Sequence, residues 1–169
     1  ELQHELQQLF YDSKNITVKV CNIRQWDAMD HLFKTVMPDI VFHAAAYKHV
    51  PLMEMHPCEA VLNNVMGTRV VADLSVKYDV DRFVFISTDK AINPTNIMGA
   101  SKRIAEMYVG ELQNSQKVIE SSVSKSFSAL EENMIYRSGH TKFITTRFGN
   151  VLGSNGSVIP RFQQQIEQG

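Results

Sequence analysis

Apolar positions along the chain follow two alternating rhythms. Leu2, Leu6, Leu9 and Phe10 recur at helical spacing, whereas Ile16, Val18 and Val20 alternate with Thr17 and Lys19 as in a short strand. Trp26 to Val36 carries a helical pattern closed by Pro38, and Asp39-Ile40-Val41-Phe42-His43 reads as a strand running into Ala44-Ala45-Ala46. Pro57 opens a long helix to roughly Tyr78, because proline suits the first turn, where its missing N–H is not needed. The β-rich run Arg82-Phe83-Val84-Phe85-Ile86-Ser87 follows, then a helix from Met98 to Leu112. A last strand, Lys142 to Arg147, leads into a glycine-rich stretch from Gly149 to Gly156, and helix returns near Ile159.

The strands are continuous apolar runs, which predicts a parallel sheet with helices on both faces. The fold class is therefore α/β and Rossmann-like. In such sheets ligands bind outside the carboxyl ends of the strands, so His43-Ala44, Ser87-Thr88 and Arg147-Phe148 fall on the functional edge. Between Gln113 and Thr141 lies a serine-rich polar stretch, far longer than the ~2–6 residues of an ordinary αβ connection. It reads as a surface insertion over 113–141. Val123, Phe127, Leu130 and Met134 are spaced for a short amphipathic helix that could dock a partner, and a mobile loop is the other reading.

Composition narrows the classes. The 169 residues are 44% hydrophobic, one domain's worth of globular chain. Seventeen basic against eighteen acidic side chains leave a net charge of -1 and no basic block, so nucleic acid is not an expected partner. Cys21 and Cys58 alone, buried or bystander thiols, fit a reduced cytoplasmic compartment. No run approaches the ~18 apolar residues of a membrane span, so no membrane contact is expected of this segment. His49 and His56 flank Pro51 without metal-ligand spacing, and no metal is expected.

Chemistry concentrates after the Arg82–Ser87 strand. Adjacent Asp89 and Lys90 offer a carboxyl and an amine side by side, groups able to do acid and base work. A strand, Gly-x-Gly-x-x-Gly turn and helix would ordinarily cradle a dinucleotide pyrophosphate, but Gly149, Gly153 and Gly156 have the wrong spacing and follow the last strand. The expectation is of a partial dinucleotide-binding domain over 1–169, its first β-α-β segment lost or upstream. The strand at Ile16 would then lack its usual neighbour.

Several long blocks stand in fixed order: Asp39 to Pro51, Ser87-Thr88-Asp89-Lys90-Ala91-Ile92-Asn93-Pro94, Lys102, and Arg147-Phe148-Gly149-Asn150-Val151-Leu152-Gly153-Ser154. With them the chain resembles the extended short-chain dehydrogenases, and more narrowly the UDP-N-acetylglucosamine 4,6-dehydratases of polysaccharide biosynthesis. The resemblance covers nearly everything except 113–141. It implies a retained NAD, a UDP-sugar substrate, and a redox-neutral elimination of water across C5 and C6 that yields a UDP-4-keto-6-deoxy sugar.

The resemblance also implies roles. Asp89 is the acid and Lys90 the base of the elimination; Thr88 hydrogen-bonds the sugar 4-hydroxyl; Lys102 grips the nicotinamide ribose. Met98 stands four residues before Lys102 where these enzymes usually carry a tyrosine base, and a thioether cannot take a proton. It marks a subgroup whose members are often membrane-anchored, which would put the parent protein at the cytoplasmic face of the inner membrane. The acceptor of the C4 hydroxyl proton stays open between Thr88 relaying to Asp89, Lys102 and a water. Cofactor contacts fall on Asn22, Ile23, Ala44, Ala45, Ala46, Asn64, Ser87 and Phe148. Substrate contacts fall on Lys48, His49, Asn150, Ser157, Val158 and Arg161. A homo-oligomer is expected of the full-length protein. A related epimerase using the same lysine, and a non-catalytic interaction module, are the alternatives.

Overall fold

The computed structural model describes residues 16–123, 141–149, 151, 162 and 165–168. Three strands, β1 (Ile40–His43), β2 (Arg82–Thr88) and β3 (Lys142–Phe148), form a parallel sheet in the order β1-β2-β3. The register sets His43 beside Phe85, Ser87 beside Arg147 and Thr88 beside Phe148. The carboxyl ends of all three strands therefore meet on one edge, as the pattern predicts.

Helix α1 (Trp26–Val36) ends where Met37 takes a φ of 47° and its N–H closes on Phe33 O, just before Pro38. The long helix expected from Pro57 is three consecutive pieces: α3 (Pro57–Ala60), a π-helical stretch (Val61–Gly67) and α4 (Thr68–Lys77). A preceding short helix, α2 (Val50–Met55), escaped the reading because only Pro51 in its first turn announces it. After β2 comes a single 3-10 turn, Asp89–Ala91, and then α5 (Ile97–Val123). Helix α5 runs well past Leu112, so the first part of the polar stretch at 113–141 continues the helix instead of looping out. The stretch from 124 to 140 lies outside the described residues, as does the apolar pattern from Leu2 to Phe10. No helix among the described residues is long and apolar enough to cross a membrane.

Period-two alternation sends Phe83, Phe85 and Ser87 of β2 to one face, where they are buried with Leu74, Val71, Ala105 and Val109. Phe83 meets Phe143 of β3 with ring centroids 5.3 Å apart, and Met29 and Phe33 of α1 complete this core. Among the described residues helices cover this face only. On the other, Val84 and Ile86 are half-buried, Ile144 is exposed and Phe42 is 71% exposed.

Two expectations are corrected. Residues 16–20 have no regular structure, and Val20 is wholly exposed. A strand is held by ladder hydrogen bonds, and no described strand lies beside this segment, so alternation alone does not form one. Cys21 and Cys58 are exposed free thiols, with neither one buried.

Candidate active site

The strand ends enclose a cavity of about 530 Å³. Its walls bring together Ala44, Ala46, Lys48, His49, Ser87, Thr88, Lys90, Met98, Lys102 and Phe148 from the predicted set, joined by Tyr47, Val50, Pro51, Ile86, Gly149 and Val151. Small alanines after β1 leave room there, and a buried cation lies at the back.

That cation is Lys102, 5% exposed on the first turns of α5. Its Nζ donates to Ile86 O at 2.6 Å and stands 4.0 Å from the centre of the Phe85 ring. Burial pushes its ammonium down to about 8, while the charge of Glu106, one turn further along α5, works the other way. Amine and ammonium forms are thus both within reach near neutral pH.

At the cavity mouth the 3-10 turn ties three side chains together. Thr88 Oγ1 donates to Asp89 Oδ1 at 2.9 Å and accepts the Lys90 N–H at 3.3 Å, while Lys90 Nζ donates to the same Oδ1 at 3.1 Å. Hydrogen bonds from Lys90 and then Thr88 hold the Asp89 carboxyl below its ordinary range. Asp89 is half exposed and does not line the cavity; it reaches it through Lys90 and Thr88.

Met98 is 4% exposed, packed with Met53 and Ala60 beside Val50 and Ile97. The thioether therefore fills an apolar wall of the cavity. The turn that carries it is capped from outside: Glu54 Oε1 accepts the Ile97 N–H at 2.7 Å and Asn96 Oδ1 the Gly99 N–H at 2.8 Å.

Asn64 lies beneath the lining, fully buried in the π-helical stretch. Its Oδ1 accepts the Tyr47 N–H at 2.8 Å and an Asn63 N–H at 3.2 Å; its Nδ2 donates to Tyr47 O and Ser101 Oγ, both at 3.0 Å. Those four bonds use its whole hydrogen-bonding capacity, so it braces the loop after β1 against α5. Asn22 and Ile23 also lie away from the cavity. Asn22 Oδ1 accepts the Arg24 N–H at 3.0 Å, and Ile23 packs so closely on Gly67 that a Cβ there would stand 2.6 Å from Ile23 Cδ1. Ala45 is absent from the lining. Asn150, Ser157, Val158 and Arg161 lie outside the described residues.

Two residues to which the sequence assigned no role sit behind this cavity. His43 is buried, with Nε2 2.9 Å from Thr68 Oγ1. The Thr68 hydroxyl donates to Asn64 O at 2.6 Å, so it accepts from His43 Nε2–H and fixes that tautomer. Burial, and next the Lys102 charge, hold His43 down at about 4. Glu106, its side chain 4% exposed, receives Arg147 Nε on Oε1 at 2.8 Å and Arg147 Nη2 on Oε2 at 2.7 Å. Its spacing four residues after Lys102 is the one available signal.

The whole chain, residues 1–169, matches the family model described as polysaccharide biosynthesis protein. The chain belongs to this family. A probable polysaccharide biosynthesis protein of Bacillus subtilis, EpsC, is 46% identical over 89% of the chain and 21% of its own length. A UDP-glucose 4-epimerase of Rickettsia rickettsii is 33% identical over 100% of the chain and 43% of its own. The chain thus spans about a fifth of the one relative and under half of the other. Among solved structures, Pen from Bacillus thuringiensis superposes with a TM-score of 0.78 at 37% identity, covering 98% of this chain and 45% of that one. The fold also recurs at 22% identity in WbmH of Bordetella bronchiseptica, solved in complex with NAD+ (TM-score 0.67; 93% of this chain, 49% of that one). The Rossmann-like class and the polysaccharide-biosynthesis family expected from the sequence are those found.

Proposed function

We propose that the chain is the catalytic part of an NAD-dependent 4,6-dehydratase that converts UDP-N-acetylglucosamine to a UDP-4-keto-6-deoxy sugar for bacterial surface polysaccharide. The observation that carries the reading is the Thr88-Asp89-Lys90 cluster at the mouth of a cavity whose back holds Lys102. Elimination needs an acid at C6 and a base at C5 in close quarters, whereas simple C4 epimerisation needs no acid at C6.

The residues fit a nicotinamide at the inner end. Ala44 and Ala46 leave room, Phe148 forms a wall, and the buried Ser87 hydroxyl, near Glu106, closes no hydrogen bond of ordinary geometry. Lys102 would hold the nicotinamide ribose. An NAD held there would supply the hydride acceptor for C4 and the hydride donor for C6. The bond already present from Thr88 Oγ1 to Asp89 supports the relay for the C4 proton: the sugar hydroxyl donates to Thr88 as Thr88 passes its own proton to Asp89. Asp89 is then the protonated acid that C6 requires, and Lys90 acts as the base at C5 once its ammonium has given a proton to solvent. Lys48 and His49, which also line the cavity, would contact the diphosphate or sugar of the substrate.

The full-length protein gives the test. With UDP-N-acetylglucosamine and NAD, proton NMR should show a new C6 methyl, and Lys90→Ala should abolish it; unchanged turnover in that variant removes the assigned role. The epimerase reading has a specific support in the Rickettsia relative and predicts a C4 epimer that keeps its hydroxymethyl group. A non-catalytic module would retain no cofactor.

Three further expectations belong to the whole protein. The open outer edge of β1 and the uncovered sheet face among the described residues suit a preceding β-α-β segment. Exposed Val61, Leu62 and Met66, with Ile104 and Met107 on α5, suit a homo-oligomer contact. The substrate class suits the cytoplasm or the cytoplasmic face of the membrane.

A further inference from the structure

Glu106 is a nearly buried carboxylate that the proposed reaction does not use. Removing an ion from water costs several kcal/mol, so such a group persists only where its partners are well formed. Burial by itself would raise its carboxyl, but Arg147, the neighbouring Ser87 hydroxyl and Arg103 outweigh that and hold it at about 2. Ser87 Oγ closes no hydrogen bond of ordinary geometry, although it lies close enough to Glu106 to favour the charge.

The location explains the investment. Glu106 stands one turn beyond Lys102 on α5, and Arg147 is the residue immediately before Phe148 and Gly149 at the end of β3. Two parallel N–H···O bonds between planar groups fix both distance and orientation, which a single bond does not. Arg103 adds a third donor at 3.0 Å. The carboxylate therefore joins the helix bearing Lys102 to the strand end that forms the Phe148–Gly149 wall, with Ser87 of β2 between them.

We infer that Glu106 is a positioning residue for Lys102: clamped by Arg147, it sets the gap between the lysine and the Phe148–Gly149 wall and supplies the negative charge that keeps the lysine protonated. The inference rests on the reading of this cavity as a nicotinamide site. Among the described residues, the titratable and charged groups around Lys102 are the neutral His43 from β1, Lys90 from the turn after β2, Glu106 on its own helix, and Arg103 and Arg147 bound to Glu106. Of these Glu106 alone favours the ammonium.

Two variants of the full-length protein separate charge from geometry. Glu106→Gln keeps the shape and loses the charge; Arg147→Lys keeps the charge and loses the fork. Lysine Cε NMR, with Lys102→Arg for assignment, reads the Lys102 titration without cofactor, and calorimetry reads NAD affinity. The Lys102 midpoint should fall in Glu106→Gln and stay near wild type in Arg147→Lys, while both variants weaken NAD roughly tenfold or more through misplacement. A purely structural brace would lower thermal stability in both variants and leave the Lys102 midpoint and NAD affinity unchanged, which would overturn the inference. If the wild type binds no NAD, the cofactor reading fails and the Lys102 titration still decides the role of Glu106. If NAD binds and no sugar nucleotide is dehydrated, only the dehydratase reading fails.

Discussion

Substituting Gly99 tests the site through a single methyl group. Gly99 follows Met98 in the first turn of α5, and a Cβ there would stand 2.2 Å from Lys90 O, 3.0 Å from the Lys90 carbonyl carbon and 3.3 Å from Asn96 Oδ1. Ordinary contact begins at 3.4 Å, so the Lys90 turn must retreat by about 1.2 Å. The obstacle is backbone and cannot rotate away. Alanine gains about 0.5–1 kcal/mol over glycine inside a helix, whereas an overpacked methyl costs about 1–3 kcal/mol, for a net loss on the order of 1–2 kcal/mol. A catalytic group displaced by about 1 Å can lose ~10²-fold in rate. Gly99→Ala should therefore reduce stability modestly and turnover severely, read by urea unfolding and by product formation in the same preparation. Gly110 provides the control on the same helix, because a Cβ there meets nothing within 4 Å. Gly110→Ala should be about 0.5–1 kcal/mol more stable and fully active. A Gly99→Ala protein as stable and active as Gly110→Ala would refute the reasoning.

Asn64→Ala leaves the Tyr47 N–H and carbonyl and the Ser101 hydroxyl without their partner; a loss of about 2–4 kcal/mol is expected in denaturant unfolding. His43 is held neutral, with a folded value of about 4 against 6.5 unfolded, so its contribution is full above about 6.5 and disappears as pH falls toward 4. The difference corresponds to about 3 kcal/mol. Thermal midpoints followed from pH 7 to pH 4 should drop less steeply in His43→Phe than in wild type, and parallel curves would count against a buried neutral imidazole.

The sequence resolved the α/β alternation well because the strands are continuous apolar runs bounded by clear stops, such as Pro38 before β1. It failed at Ile16 to Val20, where the right alternation meets no neighbouring strand, since pairing is a tertiary fact. It also stopped α5 at Leu112, because serines depress helix propensity without forbidding helix. At the site, Thr88, Lys90, Met98 and Lys102 were legible as a block, and the cavity does gather them. Asn64 was legible as a residue but not in its placement, because only the folded chain shows that all four of its hydrogen bonds are spent on Tyr47, Asn63 and Ser101. His43 was legible only as a strand-end residue and Glu106 not at all: their significance comes from Thr68 and Arg147, distant in sequence and adjacent in space.

Isotope tracing with the full-length protein addresses the dehydratase reading most directly. UDP-N-acetylglucosamine carrying deuterium at C4 is converted in ordinary water, and unlabelled substrate is converted in heavy water. A 4,6-dehydratase moves the C4 deuterium to the C6 methyl group and, in heavy water, takes up solvent deuterium at C5. Return of the label to C4, with an intact hydroxymethyl group and no deuterium at C5, would contradict the account and identify an epimerase.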